Sequence, residues 1–245
     1  MVVADVEEAA LHAAVDELTT EGVRAIGQQT DVRDPDALMT LAARTLDELG
    51  RVDVVCNNAG VVSPRLPVWE QTAEDWQWIV EVNLLGVANG IRAFVPHLIR
   101  AGRGHVVNTA SIAGLSTIPA GGNGAYSASK HAVVGLSETL QLELDARGAG
   151  VGVTVVCPGP VPSRIHTAAR NRPVHLVGSN VESGSLAPPD FELALEPVRA
   201  QVVAERVCEA IGTGTTYLLP GPGTAQMARD RIARVLHDLG KESGA

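Results

Sequence analysis

The chain reads as one α/β domain over residues 1–245, a doubly wound parallel sheet with helices on both faces. Two observations predict this. Short apolar runs alternate with longer stretches of helical periodicity, the pattern of repeated βα units. A hydrophobic content of 45% over 245 residues can fill one large core. Strands are expected at residues 1–5, 23–28, 52–57, 105–109, 151–157 and 216–219. Helices are expected at 6–20, 35–49, 72–100, 125–147, 197–212 and 224–239. Residues 163–196 break the alternation, because Pro173, Pro188 and Pro189 with Gly178 and Gly184 interrupt any regular element. A loop this long inside a compact domain is usually functional, so it reads as a lid over a substrate, with a flexible interdomain linker as the alternative.

The junctions carry physical markers. Asp34 precedes Pro35, an N-cap followed by a proline at the first helical position. Thr72 takes the same role before Glu74 and Asp75, whose charges suit a helix N-terminus. Gly22, Gly50, Gly102 and Gly148 fall just past helical patterns, where a left-handed cap costs glycine least.

Bulk properties exclude several function classes. The formal net charge is −9 and no basic cluster occurs, which argues against nucleic acid or anionic lipid as a partner. The longest apolar runs are about ten residues, and Met1 leads into Val-Val-Ala-Asp without a basic segment, so neither a membrane span nor a signal peptide is expected. A cytoplasmic location follows as an expectation. The three cysteines lack metal-ligand spacing; Cys56 and Cys157 lie in apolar, strand-like runs and read as reduced core residues. The seven histidines show no ligand pattern either, so no metal site is expected.

The segment Tyr126-Ser127-Ala128-Ser129-Lys130 sets a phenol and an ammonium four residues apart, on one helix face. A free tyrosine ionises near pH 10, and a nearby fixed cation favours its phenolate, making it a usable acid or base at an alcohol or carbonyl. Alone, such a pair is common on helix surfaces. Its context is more telling: the strand expected at 105–109 runs on to Ser111, fifteen residues before Tyr126, and ligands bind at the carboxyl ends of strands in open α/β sheets.

With these residues the chain resembles the short-chain dehydrogenase/reductase family over nearly its whole length, which implies a Rossmann-type sheet. Asn57-Asn58-Ala59-Gly60 resembles the family's turn after the fourth strand, lining the adenosine side and steadying the sheet. Asn83 resembles the family's helix asparagine, and Ser111, Tyr126 and Lys130 complete what looks like its catalytic tetrad. Pro158-Gly159-Pro160-Val161 resembles the turn whose backbone faces the nicotinamide amide, with Ser163 where threonine is usual. The resemblance implies that Ser111 holds the substrate oxygen and Tyr126 moves the proton. It further implies that Lys130 binds the ribose hydroxyls and lowers the tyrosine pKa, while Asn83 anchors a water linking Lys130 to solvent.

Two acids bear on the cofactor. Asp5 ends the first strand-like run, where a carboxylate accepts both ribose hydroxyls of NAD and repels the extra phosphate of NADP, so NAD is expected rather than NADP. Asp31-Val32 resembles the family's adenine-contacting pair; a simple turn acid before Asp34-Pro35 is the other reading of Asp31. The chain departs from the family at its front, where a strand, a glycine-rich phosphate loop and a helix are usual: the first 49 residues hold only Gly22 and Gly27. The expectation drawn from this is a missing N-terminal βα unit, a natural start lying upstream, and a 245-residue chain that is poorly stable and binds NAD weakly or not at all.

The expected activity is hydride transfer between NAD(H) and a small alcohol or carbonyl substrate. A family-like homodimer or homotetramer is expected, built partly on the helix at 125–147. The alternatives are a catalytically silent fragment or binding subunit and, with less support from the compact C-terminal part, a nucleotide-sugar epimerase or dehydratase.

Overall fold

The computed structural model describes residues 1–62, 65–117, 122–176, 178 and 195–242. Among these residues, six parallel strands fall in two sheets. β1 (Val2–Asp5) pairs with β2 (Ile26–Gln29). β3 (Val54–Asn57), β4 (Gly104–Thr109), β5 (Val151–Val156) and β6 (Tyr217–Leu218) form the second sheet in that order. The helices are α1 (Glu8–Thr20), α2 (Pro35–Leu49), α3 (Ala73–Val80), α4 (Gly86–Ala101), α5 (Gly124–Ala146), α6 (Ala200–Thr213) and α7 (Thr224–Glu242).

The sequence markers account for the element ends. The Asp34 carboxylate accepts from the Asp36 and Ala37 amides at 2.9 and 3.2 Å and starts α2. Thr72 and Asp75 exchange side-chain to backbone bonds at 3.1 and 3.2 Å, a capping box that starts α3. Gly50 and Gly102 end α2 and α4 at φ 74° and 63°, the left-handed region where a side chain is strained.

Alternate residues of β4 serve opposite faces of the sheet. Val106 packs into the cluster of α2, α4 and α5, whereas Val107 packs with β5 and β6 against Val203, Val207 and Ala210 of α6. Helices thus cover both faces, as expected. The same alternation corrects the reading of Cys56 as a core residue: Val55 is buried, while Val54 and Cys56 point to the other face and are exposed. Cys157 is buried, as expected.

The two sheets do not close up strand against strand. Among the described residues, β1 pairs with β2 alone and β3 with β4 alone. Helix packing joins them: Leu38, Leu41 and Ala42 of α2 meet Ala93, Phe94 and Leu98 of α4, with Val2 and Val52 packed alongside.

The helix expected at 72–100 is divided. Residues Glu81–Leu85 form a π-helical turn between α3 and α4, the kind of irregularity that recurs at functional sites. By length and composition the stretch Ala73–Ala101 could span a bilayer, although no such run was expected from the sequence; much of it is buried within the fold, as in a core helix. The first part of the expected lid folds as 3₁₀ turns, Arg164–Asn171 and Val174–Leu176. Its remainder, with Gly184, Pro188 and Pro189, lies largely outside the described residues.

Asn57 ties the sheet to its helix layer. Its amide donates to Asn108 at 2.8 Å, and Asn108 donates to Ser137 of α5 at 2.9 Å. Gly90 of α4 packs so closely that a methyl there would sit 2.0 Å from the Asn57 side-chain oxygen. Gly90→Ala should therefore destabilise the fold by about 1–3 kcal/mol through overpacking, read as a lower Tm in thermal melts. An unchanged Tm would mean that α4 and β3 do not approach this closely.

Candidate active site

The site begins where β4 ends. After Thr109 the chain passes through Ala110 to Ser111, whose hydroxyl accepts from the Ala113 amide at 3.1 Å and turns the chain into a short 3₁₀ helix. The start of α5 faces it. Lys130 reaches back from α5 and donates to the Thr109 carbonyl at 2.8 Å, with its ammonium 5.8 Å from the centre of the Tyr126 ring. The expected trio of Ser111, Tyr126 and Lys130 therefore converges at the carboxyl end of a central strand.

Their electrostatics differ from expectation. Lys130 is only 2% exposed, and burial lowers its pKa to about 8. Burial also raises Tyr126 above the ordinary tyrosine value, with hydrogen bonding from Ser111 working in the opposite direction. The resemblance implied that Lys130 would depress the tyrosine; here burial sets the direction, and Ser111 is the group that opposes it, so the phenol is protonated at neutral pH. Cys157 lies nearby with its thiol pushed up to about 12 by burial, so it adds no charge.

Asn83 is fully buried in the π-helical turn. Its side chain clamps Val61, accepting from the amide at 2.8 Å and donating to the carbonyl at 2.9 Å, and it also donates to Ser129 at 3.2 Å. Ser129 donates in turn to the Tyr126 carbonyl at 2.7 Å. Asn83 thus fastens the loop after β3 to the helix carrying Tyr126 and Lys130. Gly60 lies between them, where an added Cβ would be 3.4 Å from the Lys130 ammonium and 3.5 Å from the Asn83 oxygen. Ala59 is exposed beside it, and Thr109 donates to the Asn58 side chain at 2.9 Å.

The turn after β5 forms the opposite wall. The Pro158 carbonyl accepts from the Ile112 amide at 2.9 Å, which ties this turn to the one after Ser111. A Cβ on Gly159 would meet Thr224 and Leu195 at 3.2 and 3.3 Å, so the turn is closely packed from outside. Val161 is half-buried, and Ser163 is exposed, its hydroxyl accepting from the Ile165 amide at 3.4 Å.

Across the crevice, Asp5 is exposed at the end of β1, and one of its carboxylate oxygens accepts from the Glu7 amide at 2.8 Å. Asp31 is engaged more heavily. It accepts from the Arg33 guanidinium at 2.6 to 3.1 Å; burial alone would raise its carboxyl, but Arg33 holds it below the usual carboxylate value. The expected availability of Asp31 to an adenine amine is therefore contested by Arg33. Val32 packs against Gly86, and its carbonyl accepts from Asn89 at 3.0 Å.

Two features escaped the sequence reading. Glu7, at the start of α1, accepts from Arg164, Arg170 and Asn171 of the segment after β5, in contacts of 2.5 to 3.1 Å. Hydrogen bonds from Arg170 and Asn171 hold the Glu7 carboxyl down to about 2. Farther along, Arg172 pairs with the buried Asp75 at 2.6 Å and lies 5.1 Å over the Trp78 ring. Together these fasten the segment to both sides of the crevice. The partners are about 100 to 160 residues apart, and no periodic signal links them.

The donor set suits a nicotinamide dinucleotide at its two ends. At one end are a buried ammonium beside a glycine cradle and the backbone of the Pro158–Val161 turn; at the other is the exposed Asp5 carboxylate. Between them the described cations, Arg164 and Arg170, are already occupied by Glu7.

Comparison with known proteins agrees with this geometry. The short chain dehydrogenase family model matches residues 1–173. A 1-deoxy-11-beta-hydroxypentalenate dehydrogenase from Streptomyces arenae is 37% identical over 236 residues, covering 95% of this chain and 77% of that protein. A crystal structure of a short chain dehydrogenase/reductase from Burkholderia phymatum in complex with NAD superposes with a TM-score of 0.85 at 37% identity, covering 97% of this chain and 85% of that one. An actinorhodin polyketide ketoreductase solved with NADPH superposes with a TM-score of 0.74 at 29% identity, covering 91% of this chain and 86% of that one. The chain belongs to the short-chain dehydrogenase/reductase family, enzymes that bind nicotinamide cofactors on this Rossmann-like fold.

Proposed function

We propose that the protein transfers a hydride between NAD(H) and a small alcohol or ketone. The observation that carries this reading is the convergence of Ser111, Tyr126 and buried Lys130 at the carboxyl end of β4. The cofactor, when bound, supplies the hydride chemistry. In this reading Lys130, Tyr126 and the Pro158–Gly159–Val161 turn with Ser163 hold the nicotinamide half, and Asn57, Ala59 and Gly60 line the adenosine side. Asp5 reads the ribose of the adenosine half, with Asp31 and Val32 at the adenine.

The proton chemistry follows from the pKa directions. Ser111 orients the substrate oxygen and Tyr126, protonated at neutral pH, donates to it as the alcohol forms. Lys130, with a pKa of about 8, is mostly charged at pH 7 and stabilises the phenolate left behind. Asn83 holds the loop after β3 against α5, so that the phenol and ammonium keep their spacing. The reverse reaction needs the phenolate and so becomes faster as pH rises towards the raised value of the buried Tyr126. Reduction needs the phenol and a charged Lys130, and declines above about pH 8. A cytoplasmic setting and a homodimer or homotetramer using α5 belong to the same proposal; Leu142 of α5 is 70% exposed.

Tyr126→Phe removes the transferable proton and leaves the packing in place. Steady-state assays with NADH and a ketone panel should show turnover reduced at least about a hundredfold, the scale of acid and base assistance. Comparable rates in wild type and variant would reject the assignment, and NADH binding without turnover in the wild type would favour a silent binding subunit. Asp5→Ala should narrow the preference for NADH over NADPH, measured as a ratio of kcat/KM values. A wild type that already prefers NADPH would contradict the role given to Asp5.

A further inference from the structure

Glu7 holds the segment after β5 across the crevice, and the groups that hold it form a fork with room in its charge for a second anion. Arg170 fixes one edge of its guanidinium within its own 3₁₀ turn. Its Nη1 donates to the Arg164 and Thr167 carbonyls at 2.9 and 2.8 Å and to the Thr167 hydroxyl at 2.8 Å. The other edge is thereby aimed at Glu7, donating through Nε and Nη2 to one carboxylate oxygen at 3.1 and 2.5 Å. Arg164 donates to the second oxygen at 3.1 Å, and Asn171 to the first at 2.8 Å. Three side chains of one short segment therefore converge on a single anionic group, in the geometry that guanidinium forks use for carboxylate and phosphate alike. The charges do not balance, because one carboxylate faces two guanidinium groups. A diphosphate carrying two negative charges would neutralise both.

We infer that Arg164 and Arg170 form a diphosphate subsite, that of the dinucleotide, and that Glu7 is an internal competitor which the diphosphate displaces. The inference rests on the hydride-transfer reading above, which sets the two ends of the cofactor at Lys130 and Asp5. The diphosphate joins those ends. Glu7 stands two residues beyond Asp5, its amide donating to the Asp5 carboxylate at 2.8 Å. A molecule stretched from Asp5 to the turn after β5 thus runs where the Glu7 clasp now runs. The start of α1 adds donors: Glu7 occupies the N-cap position without capping, since its side chain accepts from no amide of the first turn. Free amides at a helix N-terminus suit a phosphate. The exchange costs little, because partly exposed ion pairs contribute little to stability. Cofactor affinity is then reduced by the fraction of molecules in which the clasp is closed.

Titration calorimetry of the full chain with NADH and, separately, with inorganic pyrophosphate tests this. Glu7→Gln keeps the side chain's size and removes the competing charge, so it should tighten both ligands at least about fivefold, the lower range of coupling between sites. Arg170→Gln should weaken both by a similar factor, and the double variant should lose the gain of Glu7→Gln. A gain in affinity cannot come from a damaged fold, so Glu7→Gln decides the matter even where Arg170→Gln is unstable. NADH bound equally by wild type and Glu7→Gln would overturn the inference and leave the hydride-transfer reading intact. Pyrophosphate that answers to these substitutions while no form binds NADH would keep the fork as a diphosphate site and reject that reading of the cofactor. Neither ligand bound by Glu7→Gln, or a double variant that keeps the gain, would overturn the inference.

Discussion

The candidate site depends on keeping an ammonium buried at the end of β4. Removing a cation from water is costly unless polar groups replace its hydration, and Lys130 has one such group at 2.8 Å, the Thr109 carbonyl. Its pKa of about 8 records the part of that cost left uncompensated. Several neighbours meet its requirements. Gly60 lacks the side chain that would crowd the ammonium, Asn83 ties the Gly60 loop to α5 through Val61 and Ser129, and the π-helical turn places Asn83 there. Loosening any of these would let water reach the lysine and bring it back towards an ordinary pKa, uncoupled from Tyr126.

The second constraint is the division of the sheet. β1 and β3 share no hydrogen bonds, so α2 packed on α4 sets the distance from Asp5 to Lys130. The crevice between the strand ends is spanned from above by Glu7 and its partners Arg164, Arg170 and Asn171. These groups are partly exposed, so screening by salt weakens the clasp far more than it weakens the buried pair of Arg172 and Asp75. The segment after β5 thus has one firm and one yielding attachment, an arrangement suited to admitting a ligand on the Glu7 side.

Much of this was legible in the sequence, and the rest was hidden for physical reasons. Caps such as Asp34 and Thr72 act within one helical turn, so their spacing alone revealed them. Ser111, Tyr126 and Lys130 were recognisable because strand ends and helix faces follow simple periods. The part played by Asn83 was half legible: its position resembled a family residue, but its bonds to Val61 and Ser129 depend on a π-helical turn that apolar periodicity does not reveal. Asp31 is drawn to Arg33 only two residues away, and neither a resemblance to an adenine contact nor a turn position says which partner the carboxylate takes. Cys56 was misjudged because an apolar strand does not say which of its faces is covered. Glu7 and Asp75 find partners more than ninety residues away, where the sequence gives no warning.

The protein contains two lysines, Lys130 and Lys241, and they differ sharply in environment: one is buried at the strand end and the other exposed at the end of α7. Lysine labelled with ¹³C at Cε and followed by NMR through a pH titration would give two resolvable curves. The account predicts that one lysine titrates near pH 8 and loses that resonance in Lys130→Met, with the other close to the ordinary lysine value of about 10.4. Two lysines titrating together near that ordinary value would contradict it, because Lys130 would then be solvated and the site's central electrostatic constraint absent.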